Sequence, residues 1–255
     1  MKVVFIGAGN LATRLSLEMS AVGMNILQVY SHTPENASLL ADKLGCRWTI
    51  VPEDISSEAD LYVFSLKDAV LPEVISRVRP NSGIWVHTAG SMPLDIFRGY
   101  TSHYGVLYPL QTFSKERAVD FSVIPFFLEA NLPQVGHVLE EIAKTISGNV
   151  RFLSSEKRQY LHLSAVFACN FTNHIYNLAD KLLEEHDIPA DVLLPLIDET
   201  AAKIHIMSPG EAQTGPAIRY DENVINKHLA MLSDPDMRSL YQLISQSIHK
   251  ESRHE

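Results

Sequence analysis

Near the start of the chain, Gly7-Ala8-Gly9-Asn10-Leu11-Ala12 has the spacing that lets bare backbone meet a diphosphate. Gly7 permits a tight turn, Gly9 has no side chain to hold a pyrophosphate off, and Ala12 is small enough for a helix to pack on the strand before it. A glycine match of this kind is weak alone, but here it has its required context. Lys2 to Ile6 reads as a buried strand, and Leu11 to Val22 has helical spacing. The opening helix would offer free N–H groups and a positive dipole end to the phosphates. The expected cofactor contacts are therefore Gly7, Ala8, Gly9, Asn10 and Leu11. The competing reading is a glycine-rich turn without a ligand.

The second strand ends at Tyr30-Ser31-His32-Thr33, where an NAD-binding chain usually carries an acidic residue for the ribose 2′-hydroxyl. No acid occurs there before Glu35. Ser31 and Thr33 can hydrogen-bond a 2′-phosphate, and His32 can add charge, which favours NADP over NAD. No arginine fork is evident, and Thr33-Pro34 also reads as an ordinary helix start. Ligands of such sheets sit at the carboxyl ends of the strands. That adds Ser65, Leu66, Lys67 and Thr88 to the expected cofactor contacts, although Lys67 reads equally well as a solvated side chain.

A second group of polar residues lies in the second half. At 100° per residue, His162, Asn170, Asn173 and Asn177 fall within about 80° of one another on a long helix. Phe167, Phe171, Ile175, Leu178 and Leu182 take the opposite side. One reading is a solvent-facing stripe continued by Asp180 and Glu184. The other aims His162 and Asn170 at a nicotinamide. Histidine ordinarily titrates near working pH and suits a proton donor or acceptor. Asn170 would orient the reacting group. Arg219, in the glycine-proline loop before Asp221, would hold an anionic group with its fork, or pair with a surface acid.

Other chemistries lack their residues. There is no HExxH metal pattern, the eleven histidines are scattered, and no G-x-S-x-G occurs. The formal net charge of −9 argues against nucleic acid or an anionic membrane as partner. Two cysteines, Cys46 and Cys169, support no disulfide framework and fit a reducing cytoplasm. No run approaches the roughly 20 apolar residues of a membrane span. The opening Met1–Ile6 run lacks the longer apolar core and cleavage site of a secretory signal.

The elements that must position these residues alternate through the first half. Strands are expected at Lys2–Ile6, Asn25–Tyr30, Arg47–Val51, Asp60–Leu66, Gly83–His87, His103–Leu107, Val123–Leu128 and Val150–Leu153. Helices are expected at Leu11–Val22, Pro34–Leu44, Asp68–Val78 and Pro133–Ile146. This alternation predicts an α/β fold: a Rossmann-type, doubly wound parallel sheet covered on both faces. After Ser154 the strand signals vanish. A helix without a breaker runs to about Glu185, followed by Ala190–Met207, Asp221–Leu232 and Asp236–Lys250. The reading is a nucleotide-binding domain over 1–153 and an all-α substrate or dimerisation domain over 154–255, with a frayed tail at Lys250–Glu255.

Taken together, the glycine turn, His87-Thr88-Ala89-Gly90-Ser91, Tyr108-Pro109-Leu110-Gln111-Thr112-Phe113, Tyr160-Leu161-His162, Cys169-Asn170, and Thr214-Gly215-Pro216 with Arg219, Asp221 and His228 resemble a known group. These are Rossmann-like proteins with a helical C-terminal domain of unknown function. The group is similar in layout to pyrroline-5-carboxylate reductase and the 6-phosphogluconate dehydrogenase superfamily. The resemblance implies an NADP oxidoreductase and a homodimer built through the helical domain. In that group the position of Tyr108 is more often His, and that of Tyr220 more often Gly. The helix lysine of the hydroxyacid dehydrogenases, one turn before an asparagine, has no counterpart before Asn170. Ser208-Pro209-Gly210 resembles a reductase loop but lacks its following Gly-Thr-Thr. The expected function is hydride transfer from NADP to or from a small polar carbonyl or imine in the cytoplasm. The alternative is a non-catalytic NAD(P)-binding sensor or partner subunit.

Overall fold

The computed structural model describes residues 1–252, so the expected frayed tail lies, from residue 253 on, outside the described residues. Eight strands form one sheet: β1 (Lys2–Ile6), β2 (Asn25–Tyr30), β3 (Arg47–Thr49), β4 (Leu61–Phe64), β5 (Ile84–His87), β6 (Tyr104–Pro109), β7 (Phe126–Ala130) and β8 (Val150–Phe152). Their spatial order is β3-β2-β1-β4-β5-β6-β7-β8. The order reverses at β1, so a crevice opens between the carboxyl ends of β1 and β4. All pairings are parallel but one: β7 runs antiparallel to β6, with Tyr108 opposite Phe127. The sheet is thus parallel as expected except at this one pairing, where a long connection from Pro109 brings the chain back in the opposite sense.

The helices of this sheet region are α1 (Asn10–Ala21), α2 (Pro34–Leu44), α3 (Leu71–Arg77) and α4 (Pro133–Ile146). α3 begins three residues later than its apolar spacing suggests, after a turn closed by Val70 N–H on the Lys67 carbonyl at 2.9 Å. Gly45 ends α2 in the left-handed conformation at φ 63°, as helix C-caps favour. One sheet face buries Val3, Phe5 and Val63 against Leu15, Leu40 and Leu139 of α1, α2 and α4. The other buries Tyr62, Phe64, Trp85 and Phe97 in an aromatic cluster, Phe64 tilted against Trp85 and Phe97 edge-on to it.

The long helix foreseen from Ser154 to Glu185 is three pieces. α5 (Ser155–Ala165) is followed by a π-helical segment at Val166–Phe171, then α6 (Thr172–Glu184). The chain divides into two compact units within that π segment, one over Met1–Asn170 and one from Phe171 onward. The second unit is helical: α6, α7 (Leu194–Lys203), α8 (Pro209–Ala212), α9 (Glu222–Met231) and α10 (Pro235–Glu251). Asp221 caps α9 and Asp234 caps α10, each accepting backbone N–H bonds.

Candidate active site

The glycine turn is built as its spacing requires. Gly7 has φ 126°, and a β-carbon there would stand 2.1 Å from the Ser65 carbonyl oxygen. The ends of β1 and β4 close on each other at a distance that admits only glycine. Gly9 is the N-cap of α1 and uses no side chain to cap it. A β-carbon on Gly9 would meet nothing within 4 Å. The start of α1 is thus open at residue 9, with no side chain there to cover its amides, a cradle that fits a diphosphate. Asn10 donates through Nδ2 to the Phe113 carbonyl at 3.0 Å, tying the connection after β6 to this turn.

At the end of β2, Ser31 is buried and accepts the Thr33 N–H at 3.3 Å. The Thr33 hydroxyl lies 3.2 Å from His32 Nε2. Thr33 is the N-cap residue of α2, yet its side chain makes no capping bond. Ser31, His32 and Thr33 therefore form a local polar cluster beside the helix start, which fits a ribose phosphate. Thr88 is buried at the end of β5, its N–H on the Phe64 carbonyl at 3.1 Å. Ser65 and Leu66 are half-buried beside Gly7, and Lys67 is exposed.

His162 stands on α5 above the carboxyl ends of β5 and β6. Its Nδ1 is 3.0 Å from the Tyr108 hydroxyl, with the rings nearly edge to face at 73°. Its imidazole fills the space over Gly90 so closely that a β-carbon there would lie 2.6 Å from the ring. Tyr108 is buried, and burial raises its pKa while the positive charge of Arg158 works the other way. The phenol therefore keeps its proton, and it shares one hydrogen bond with the His162 ring.

An ionic knot behind this pair fixes α5. Arg158 is fully buried and donates to Glu129 Oε2 at 2.6 Å, to the Met92 carbonyl at 2.6 Å and to Ser155 Oγ at 3.1 Å. Ser155 donates to Glu129 through both N–H and hydroxyl, at 2.9 and 2.6 Å, and accepts the Leu94 N–H. Gln159 Nε2 reaches the Ser91 carbonyl at 2.9 Å. The helix is thereby pinned to β7 and to the loop after β5, and His162 follows one turn later. His87 lies under the same loop, fully buried, with Nδ1 accepting the Ala89 N–H at 3.2 Å. Burial, helped by the Arg158 charge, pushes its pKa down to about 3. His87 is thus held neutral and enclosed, with its Nε2 buried and without a hydrogen-bond partner among the described residues.

Of the other candidates, Asn170 stands apart from this pair. Asn170 is exposed in the π segment, eight residues and roughly 12 Å of helix beyond His162. The constant 100° wheel used to align it fails there, because a π turn takes more residues than an α turn. Phe167, Phe171 and Ile175, assigned to the opposite side, are exposed as well. Arg219 lies in the second unit and is exposed. Its neighbour Tyr220 sits at φ 48°, a conformation that favours glycine, and its ring packs on His249 at 4.8 Å. Tyr108 was not among the sequence candidates, since its strand was expected to end at Leu107. The signal that would have found it is its place just beyond that strand's carboxyl end.

Residues 2–86 match the family described as NADP oxidoreductase, coenzyme F420-dependent. Residues 124–248 match the domain of unknown function DUF2520. Among solved structures, a Bacteroides fragilis protein titled a candidate NADP oxidoreductase is 51% identical, with 98% of each chain covered and a TM-score of 0.93. A Thermotoga maritima protein is 21% identical over 98% of this chain and 99% of its own, at a TM-score of 0.79. The 1-pyrroline-5-carboxylate reductase of Streptococcus pyogenes shares the fold at 12% identity, 100% and 99% coverage and a TM-score of 0.64. No curated protein matches the chain. With half its residues shared with the Bacteroides protein along nearly its whole length, the chain belongs to that family of Rossmann-type NADP oxidoreductases, in which an NADP oxidoreductase domain precedes DUF2520.

Proposed function

We propose that this chain reduces, or in reverse oxidises, a small polar carbonyl or imine compound with NADP. The observation that carries the reading is the Tyr108–His162 hydrogen bond over Gly90, on the same sheet edge as the Gly7–Gly9 cradle. Reduction of a C=O or C=N bond adds a hydride to carbon and a proton to the heteroatom. The bound nicotinamide supplies the hydride. Gly7 to Leu11 would hold the diphosphate, with Ser31, His32, Thr33, Ser65, Leu66, Lys67 and Thr88 along the rest of the nucleotide. His162 would pass a ring proton to or from the substrate heteroatom, while the Tyr108 hydroxyl holds the imidazole in place through its bond to Nδ1. Asn170 and Arg219 remain candidates for orienting the substrate and holding an anionic group on it.

A Myxococcus stipitatus imine reductase was solved in complex with NADP+, and a Plasmodium falciparum pyrroline carboxylate reductase with NADP bound. Both share this chain's fold at 14% and 9% identity, with TM-scores of 0.62 and 0.63. We place nucleotide binding in residues 1–153, and substrate contacts and dimerisation in residues 154–255. The dimer reading is supported by α6 and α7, which bury no residue, and by Leu196, Ile206, Met231 and Leu243, all more than 60% exposed. Among the described residues no helix is long and apolar enough to cross a membrane. The free thiols Cys46 and Cys169 suit the reducing cytoplasm we assign.

The test is NADPH oxidation by the purified protein against a panel of small keto acids and cyclic imines. Turnover with one of them that is lost in His162→Ala, with NADPH affinity retained, supports the reading. NADPH binding with no turnover on any class favours a sensor.

A further inference from the structure

The end of β2 lacks a cation suited to a phosphate. From Asn25 to Asn36 there is no lysine or arginine, and His32 is the one basic side chain. The structure brings a lysine to this place from 79 positions away. Lys115 Nζ donates to Asn36 Oδ1 at 2.7 Å. Asn36 is the third residue of α2, about 4.5 Å along the axis from the N-cap residue Thr33. The ammonium group is therefore held by a residue of the first turn of α2, the turn that starts at the Ser31–Thr33 cluster.

The segment that carries Lys115 is anchored at its start. Asn10 of the glycine turn holds the Phe113 carbonyl at 3.0 Å, and the Phe113 ring stacks on Phe121 at 5.7 Å between centroids. Residues 113–115 thus bridge the first turn of α1 and the first turn of α2, the two helix starts that flank the nucleotide path. Lys115 is half-buried, and its partner here is a neutral amide; among the described residues no carboxylate lies within ion-pair distance of it. Glu35 and Glu116, the acids beside it in the chain, are exposed. A half-buried cation without a counter-ion, held on the first turn of the helix that Thr33 begins, is arranged for an anion.

We infer that Lys115 is the specificity-determining residue for the 2′-phosphate, supplying the charge that selects NADP over NAD while Ser31 and Thr33 donate hydrogen bonds. This rests on the dinucleotide reading given above. Asn36 holds the ammonium group in place until the phosphate arrives.

The experiment titrates NADPH and NADH, separately, into full-length wild type, Lys115→Ala and Lys115→Arg, following nicotinamide fluorescence, with thermal melting as the check on folding. The expected result is NADPH affinity lowered about tenfold or more in Lys115→Ala, NADH affinity unchanged, and NADPH affinity largely kept in Lys115→Arg. A wild type that prefers NADPH, with a folded Lys115→Ala that keeps the same NADPH to NADH ratio, overturns the assignment of Lys115 alone. Equal losses for both nucleotides overturn it too, since they mean Lys115 serves only the segment's shape. A folded wild type that binds neither nucleotide overturns the dinucleotide reading, and this inference with it.

Discussion

The imidazole of His162 occupies the place where any side chain on residue 90 would begin: a β-carbon there would lie 2.6 Å from both Cγ and Nδ1 of the ring. Gly90→Ala must therefore push His162 off its bond to Tyr108. The change should cost about 1–3 kcal/mol of stability, as overpacking does. Turnover should fall far more than NADPH affinity. Urea unfolding and fluorescence titration of the same preparation measure both effects.

The two glycines of the turn should fail differently. Gly7→Ala sets a methyl 2.1 Å from a backbone carbonyl at φ 126°, so the chain should express poorly or melt early. Gly9→Val puts its branches into open space, so the fold should survive, while NADPH affinity drops by at least tenfold because the diphosphate is displaced. Melting temperatures and nucleotide titrations of both variants separate a steric role from a ligand role.

Glu129→Ala leaves the Arg158 guanidinium buried without its carboxylate. Breaking such a pair costs about 3–5 kcal/mol. The solvent-facing Lys144–Glu140 pair is as short, at 2.6 Å, yet Glu140→Ala should cost far less, because water screens both charges. Denaturant midpoints of the two variants compare them directly. Similar losses would mean that the knot under α5 does not govern stability.

His87 ties stability to pH. Its pKa is depressed in the folded chain, so between about pH 6.5 and about 3 the unfolded chain binds the extra proton. Its contribution is complete above pH 6.5 and is lost as the pH falls toward 3, at up to about 1.4 kcal/mol per pH unit. His87→Phe removes the titration. The stability difference between wild type and variant should shrink or reverse as pH falls through this window, and denaturant unfolding at a series of pH values checks it.

Much of the fold was legible because it rests on local rules. The strand–turn–helix around Gly7, the left-handed cap at Gly45 and the aspartate caps at Asp221 and Asp234 are written in adjacent residues. The reversal of β7 was not, since an apolar run such as Val123–Leu128 reads alike in either direction. Nor was the π segment, where six residues shift the helical phase. The site was legible in half. His162 announced itself as a histidine in a polar stripe, but Tyr108 is joined to it across 54 positions, and Lys115 reaches Asn36 across 79. Such partners are set by the sheet order, which no local pattern carries. The same geometry explains why glycine would suit position 220, where Tyr220 holds a positive φ.

Calorimetric titration of NADPH into the folded protein, wild type beside Gly9→Val, tests the central claim most directly. The account predicts saturable one-to-one binding in the wild type and its loss in the variant at equal melting temperature. Absence of heat with both NADPH and NADH at millimolar concentration, or equal binding by the two proteins, would contradict it.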